Sequence, residues 1–329
     1  MRCLALAQAW KEAGGTAVFL LGGEANPWAG QLSREGIETL AAESSPGSTA
    51  DAREMFSVAE VLRPAAVVID GYGFTEPFQE AISRQVAPVL VVDDGARIGG
   101  YRAHLILDQN DGASLHLYRE RAPAAELLVG ARYVLLRHEF LSGRNSVGPS
   151  RAQARRVLVT MGGADDPNIT LDVFRALHAL DRPIDVTVLV GPAYGALEEL
   201  GHEVRRHPSA SVVVDPPNVA EVMATADLAV AAAGSTVWEL ACLGIPALVG
   251  LTSENQVPVA TSLVAHGIGH SVGWFRDTPA EIVAAAVGAL LDDTGARSKM
   301  REAGRDLVDG MGAARVVQRL LEWKAGKHL

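Results

Sequence analysis

Two hydroxyls and a carboxylate stand close together in Gly234-Ser235-Thr236-Val237-Trp238-Glu239, where the apolar run DLAVAA (227–232) gives way to a helical pattern. Gly234 lets a ligand approach the backbone closely, and Ser235 or Thr236 can cap the helix and contact a phosphate at its N-terminus. Glu239, one turn into the helix, can accept hydrogen bonds from two adjacent ribose hydroxyls. The spacing from Thr236 to Glu239 is also that of a capping box with nothing bound. The local pattern leaves both readings open.

Other loops after apolar runs carry residues of the same kind. Gly162-Gly163 in MGGADD (161–166), after RVLVT, permit close approach to an anion, or form a tight turn capped by Asp165 or Asp166. Asn255 and Gln256 follow PALVGL (246–251) and offer neutral amides suited to sugar hydroxyls, or simple caps. In the first half, Asp70-Gly71-Tyr72-Gly73 follows AAVVID, and Asp93-Asp94-Gly95 follows PVLVV. Asp93-Asp94 has the charge for a cation, although a turn is the commoner use of such a pair. No phosphate-loop, nucleophile-elbow or dinucleotide glycine motif occurs, and the nine histidines lack metal-ligand spacing. Neither a metal nor a cofactor is expected.

These loops need a scaffold. Strand-like runs at 16–21, 65–70, 88–94 and 104–108, then at 156–161, 184–190, 211–215, 227–232 and 246–251, alternate with helical stretches such as 168–180, 217–225, 235–243 and 278–291. Continuous Val/Ile/Leu runs suit strands buried on both faces, and the alternation predicts an α/β fold with parallel sheets. Ligands of such sheets bind outside the carboxyl ends of strands, where the residues above lie. The polar stretch 141–156 reads as a linker. It divides the chain into residues 1–145 and 146–329, two Rossmann-like domains, the second ending in a charged helical tail at about 294–325.

Composition narrows the function. With 329 residues, 48% hydrophobic and 21% charged, the chain can form two packed cores. A net charge of −10 and no Lys/Arg block exclude a nucleic-acid-binding surface. Only Cys3 and Cys242 occur, unpaired in spacing, which fits a reducing cytoplasm. No run reaches the ~20 apolar residues of a membrane span. MRCLALAQAWKEAGG reads as an amphipathic helix ending at Gly14-Gly15 rather than a signal peptide.

The order of the motifs is more specific than any one of them. MRCLALA, VIDGYG, VVDD, LILDQN, GARYVLLRHEF, VLVTMGGADDPN, ADLAVAAAGSTVWELACLGIPAL and ENQ resemble, over roughly residues 1–275, the UDP-2,4-diacetamido-2,4,6-trideoxy-altropyranose hydrolases of pseudaminic acid biosynthesis and their spore-coat-polysaccharide relatives. That family looks like a branch of the GT-B glycosyltransferases, so the resemblance implies two Rossmann-like domains facing a cleft. It implies that Gly234, Ser235 and Thr236 hold the pyrophosphate of UDP and Glu239 the ribose. Asn255 and Gln256 would face the sugar, Gly162 and Gly163 would close on it, and Tyr72 would reach across from the first domain, with Tyr72 and Asn255 in catalytic roles.

The implied reaction is hydrolysis at the anomeric carbon, giving UDP and a free deoxy-acetamido sugar. The family's general base is a histidine in a Gly-x-Gly-His-x-x-Arg loop. Here the chain begins at Met1-Arg2, so that histidine and the preceding strand are not in it; the expectation is an upstream extension of about 15–25 residues, one strand and one loop. Without that histidine, Asp70, Tyr72 and Asp94 are the next candidates for the base. The competing expectations are a GT-B glycosyltransferase using a UDP-sugar donor and a catalytically inactive nucleotide-sugar-binding protein.

Overall fold

The structure, a computed structural model, describes residues 1–22, 29–86, 88–110, 115–163, 165, 167–180 and 182–326. Its contacts divide the chain into two units: residues 1–138 with 311–329, and residues 139–310. Unit 1 carries β1 (Val18–Gly22), β2 (Glu38–Ala42), β3 (Val67–Asp70), β4 (Val89–Val92), β5 (Leu105–Asp108) and β6 (Glu126–Val129). Unit 2 carries β7 (Arg156–Thr160), β8 (Asp185–Val190), β9 (Ala210–Val214), β10 (Leu228–Ala232), β11 (Ala247–Leu251) and β12 (Gly269–Trp274).

Unit 2 is built on one six-stranded sheet in the order β12-β11-β10-β7-β8-β9, every pairing parallel. β10 and β11 are buried at every position, as uninterrupted apolar strands covered on both faces must be. The chain runs outward from β7 through β8 to β9, then returns to lay β10 on the other side of β7. The order therefore reverses between β7 and β10, and the loops leaving their carboxyl ends diverge there. Such a reversal is where doubly wound sheets leave a ligand crevice.

Unit 1 differs. Its strands form two separate parallel sheets, β1-β2 and β3-β4-β5-β6. Among the described residues no strand joins β1 to β3. The helix Arg2–Glu12 serves both sheets: Leu4 and Ala7 pack with Leu32, Ile37, Phe19 and Leu21, while Ala5, Leu6 and Ala9 pack with Leu90, Val92, Leu105 and Leu107. The helix Gly312–Lys324 joins the second cluster through Val316, Val317 and Leu320.

The observed division differs from a boundary at 145/146, and the end of the tail crosses back to the first unit, as tails of such two-domain folds often do. Polarity marked 141–156 as a linker, yet the first of its four arginines is spent on packing. Arg144 donates to the carbonyls of Cys242 (3.1 Å), Val308 (2.7 Å) and Arg305 (2.7 Å), tying the segment to unit 2. Phe140 is fully buried beside it. At the other end the apolar stripe of the last helix places residues 311–329 in unit 1. No helix among the described residues is long and apolar enough to cross a membrane.

Candidate functional site

Three adjacent strands of unit 2, β11, β10 and β7, deliver three loops side by side. At the usual strand separation they span about 10 Å, the length of a diphosphate with its flanking groups. The β10 loop holds Gly234, Ser235 and Thr236. Ser235 occupies the N-cap of the helix Thr236–Leu243 and makes no side-chain cap hydrogen bond. The first turn is closed by backbone alone, Val237 N–H to Gly234 C=O (3.1 Å) and Trp238 N–H to Ser235 C=O (3.0 Å).

This geometry bears on the two readings of the local spacing. A capping box joins the N-cap to the third helical residue. With Ser235 as cap that residue is Trp238, so Thr236 and Glu239 are one position out of register. The fully buried Trp238 fixes the rotation of the helix, and Val237, Leu240, Ala241, Cys242 and Leu243 are buried around it. Ser235 is left exposed and Thr236 and Glu239 half-buried, at the end of the helix where the macrodipole and N–H groups favour an anion.

The β7 loop is glycine-lined. Gly162 has φ +91°, a conformation L side chains rarely adopt. Gly163 and Gly234 lack positive φ, and a Cβ on either would meet nothing within 4 Å. Internal packing does not explain glycine at these two positions, whereas close approach of a ligand does. Asp165 is structural: its carboxylate accepts the N–H groups of Ile169 (3.1 Å) and Thr170 (2.7 Å), capping the helix Ile169–His178. Asp166 lies outside the described residues. From the β8 loop, Gly191 presses on Gly163, where a Cβ at 191 would come within 2.7 Å of the Gly163 oxygen. Spacing along the chain gave no sign of that support.

In the β11 loop the two amides part ways. The Gln256 carbonyl accepts Thr252 N–H (2.9 Å) and its amide donates to Thr252 Oγ1 (2.9 Å), so this side chain closes its own turn. Asn255 is exposed and accepts only a local hydrogen bond, from Ser253 Oγ (2.6 Å).

Unit 1 presents a different cluster at the carboxyl ends of β3, β4 and β5. Arg2 donates to Asp70 (2.7 Å) and Asp94 (2.6 Å). Asn110 donates to the same Asp94 oxygen (3.1 Å), and the Tyr72 hydroxyl to the other (3.2 Å). The Tyr72 ring lies under the Arg97 guanidinium, 4.5 Å from its centre. Burial and the Asp94 charge both push the Tyr72 hydroxyl up, so it is a donor rather than a base. Burial would lower Arg2, but the two carboxylates outweigh it and hold the guanidinium more firmly charged. Asp70 and Asp94, read from the sequence as possible bases, have their oxygens engaged by that cation. Arg2 and Asn110 were not legible as site residues, because nothing in sequence spacing relates position 2 to position 94. Among the described residues no group of three or more His, Cys, Asp or Glu side chains could hold a metal.

No family model matches the chain. The spore coat polysaccharide biosynthesis protein SpsG of Bacillus subtilis is 26% identical over 192 residues, 57% of this chain and 56% of that protein. The chain spans about half the length of the curated relatives it matches. Among solved structures, MurG of Acinetobacter baumannii is similar with a TM-score of 0.68 and 17% identity, covering 98% of this chain and 95% of that one. Staphylococcus aureus MnaA, solved with UDP, is similar with a TM-score of 0.67 and 15% identity, covering 99% and 94%. The likenesses agree with the parallel sheets on the page: the chain has the GT-B fold and is related in sequence to SpsG.

Proposed function

We propose that the protein binds a UDP-linked deoxy-acetamido sugar at the carboxyl ends of β7, β10 and β11 and hydrolyses it at the anomeric carbon. The products are UDP and the free sugar, in surface polysaccharide or pseudaminic-acid-like sugar biosynthesis in the cytoplasm. The observation that carries this reading is the unit 2 switch point, where Ser235 occupies a helix N-cap without a side-chain cap hydrogen bond and Thr236 follows it. Gly234, Ser235 and Thr236 take the diphosphate and Glu239 the ribose, while Gly162, Gly163 and Gln256 border the sugar. As the glycosidic bond breaks, charge accumulates on the leaving diphosphate, and preorganised N–H groups at the helix start stabilise it without a metal. Asn255 carries the catalytic contact in unit 2. Tyr72 is the second catalytic assignment, as a protonated donor. The kinship with SpsG and the UDP bound to MnaA support the substrate class.

A second reading has its own support: the similar MurG and SpnG folds include a rhamnosyltransferase, and the same donor site serves an acceptor hydroxyl in place of water. Incubation with the UDP-sugar alone separates them. Stoichiometric free sugar is expected; turnover only after an acceptor is added would establish the transferase. Protection by UDP against thermal unfolding, with the sugar nucleotide intact under both conditions, would establish a binding protein without catalysis.

A further inference from the structure

Below the Arg2–Asp94–Tyr72 cluster of unit 1 lies a buried polar layer that the proposed reaction does not use. Asp93 follows β4, Asp108 ends β5, and Tyr118 comes from the helix Leu115–Arg121. Asp108 and Tyr118 are both completely buried. The Tyr118 hydroxyl lies 2.8 Å from Asp93 Oδ2 and 2.8 Å from Asp108 Oδ2, and its oxygen also accepts the Ala96 N–H (2.9 Å). Asp108 further accepts the N–H groups of Gly95 (2.8 Å) and Asn110 (3.0 Å). Asp93 Oδ2 further accepts Ala96 N–H (3.0 Å) and the Tyr101 hydroxyl (2.6 Å).

The hydrogens do not add up if both acids are ionised. A tyrosine hydroxyl has one hydrogen, and two carboxylate oxygens stand at hydrogen-bond distance from it. One of the two contacts would then press oxygen lone pairs together, with the half-buried Asp93 charge facing a second charge on the fully buried Asp108. Among the described residues no cation is hydrogen-bonded to either acid. Arg2 is engaged by Asp70 and Asp94, and Arg121, which faces the layer from the Tyr118 helix, gives Nη1 to the carbonyls of Ala96 and Ile98. Among the described residues the remaining ionisable neighbours are Tyr101, which donates, and Asp94, which adds negative charge. One added proton satisfies both contacts at once.

We propose that the buried Asp108 keeps a proton at neutral pH, donated to Tyr118 while the Tyr118 hydroxyl donates to Asp93, and that this trio fixes the positions of Asp94 and Asn110. Asp94 follows Asp93 directly, and the Asn110 N–H is held by Asp108, so the trio sets both side chains that meet above it. Burial pushes the Asp108 carboxyl up, against the opposing hydrogen bonds from Asn110, Tyr118 and Gly95, in the direction the hydrogen count requires. Losing the proton at alkaline pH forces the two acids apart and moves Asp94 and Asn110 with them.

The positioning half rests on the hydrolase reading; the proton itself does not. Infrared difference spectra of the substrate-free protein, wild type against Asp108→Asn and Asp93→Asn, should show a protonated carboxyl band at neutral pH. The band should vanish in Asp108→Asn and titrate away in alkali in the wild type. Its absence from the neutral wild-type protein overturns the retained proton, whatever the reaction. For the positioning half, wild-type turnover should fall in alkali together with the band. Asp108→Asn, permanently neutral at that position, should keep turnover within about tenfold at neutral pH and lose the alkaline limb. An alkaline limb identical to wild type overturns the positioning role. Where Asp108→Asn does not fold, Tyr118→Phe makes the same comparison, and again an unmoved limb overturns it.

Discussion

The two units place polar residues at the same ends of the same kind of strand and use them in opposite ways. In unit 2 the loops after β7 and β10 are open: Gly162, Gly163 and Gly234 face empty space, and Ser235 leaves its hydroxyl out of the cap, while Gln256 closes its own turn. In unit 1 the loops are closed on themselves: Arg2, Asp70, Asp94, Asn110 and Tyr72 form one hydrogen-bonded group above a second group around Tyr118. A loop whose donors are unspent gains most from a ligand, because binding does not first break internal bonds. A loop whose groups are satisfied holds a fixed shape. The difference is one of state: the unit 2 loops keep groups unspent, and the unit 1 loops hold a shape of their own. The sheets follow the same division, one continuous in unit 2 and two in unit 1, where the packing of the helix Arg2–Glu12 across both sheets carries the union.

The largest expected effect attacks that union. Arg2→Ala leaves Asp70 and Asp94, each about a fifth to a quarter exposed, without their cation. Breaking a buried pair from one side costs about 3 kcal/mol. Hydrogen exchange read by mass spectrometry should show faster exchange throughout unit 1 and little change in unit 2. Equal acceleration in both units would mean that the contrast between them is not one of independent stability.

Glu239→Ala tests the open side. UDP affinity should fall by about 1–3 kcal/mol, the range for lost hydrogen bonds to a charged group, measured by calorimetric titration. An unchanged dissociation constant would remove Glu239 from the site. Asn255→Ala should have a narrower effect, lowering turnover more than the affinity for free UDP, since its contact is assigned to the sugar. Equal losses in both would place Asn255 on the nucleotide instead.

How much of this was legible depends on where the information sits in the chain. β10 and β11 are legible because both faces are buried, which leaves an unbroken apolar run. β2 (ETLAA), β6 (ELLV) and β12 (GHSVGW) were not read as strands. β2 and β12 are edge strands with exposed positions, and β6 is a four-residue edge strand of the other sheet; short or half-wet edges lack the signal of a buried core. The unit 2 candidates could be named from the sequence because each loop is contiguous, so residue type and turn chemistry coincide. Only the structure, however, could separate Gln256, bonded within its turn, from the exposed Asn255. The unit 1 network joins positions 68 and 92 residues apart and has no local pattern to read. Arg144 was taken for linker composition for the same reason, because its partners are carbonyls far along the chain.

The smallest expected effect lies far from either cluster and asks whether unit 2 has an electrostatic weakness of its own. His178, near the end of the helix Ile169–His178, stacks on Phe174 and on His207, with ring centres 4.2 and 3.7 Å away. Its Nδ1 meets the Phe174 carbonyl at 3.0 Å, while its Nε2 is buried without a partner among the described residues. Burial, with a smaller contribution from His207, lowers its affinity for a proton, although the Phe174 carbonyl and Glu203 pull the other way. A base whose folded pKa is depressed binds its proton more readily when unfolded. Its stabilising contribution is therefore complete above the ordinary histidine value of about 6.5 and is lost as pH falls through that value toward the folded one. The thermal stability of unit 2 should thus fall on mild acidification, and His178→Gln, which cannot take up the proton, should flatten that dependence while unit 1 follows its own course. A variant with the wild-type slope would assign the acid sensitivity to carboxylates instead and leave the stacked pair as packing alone.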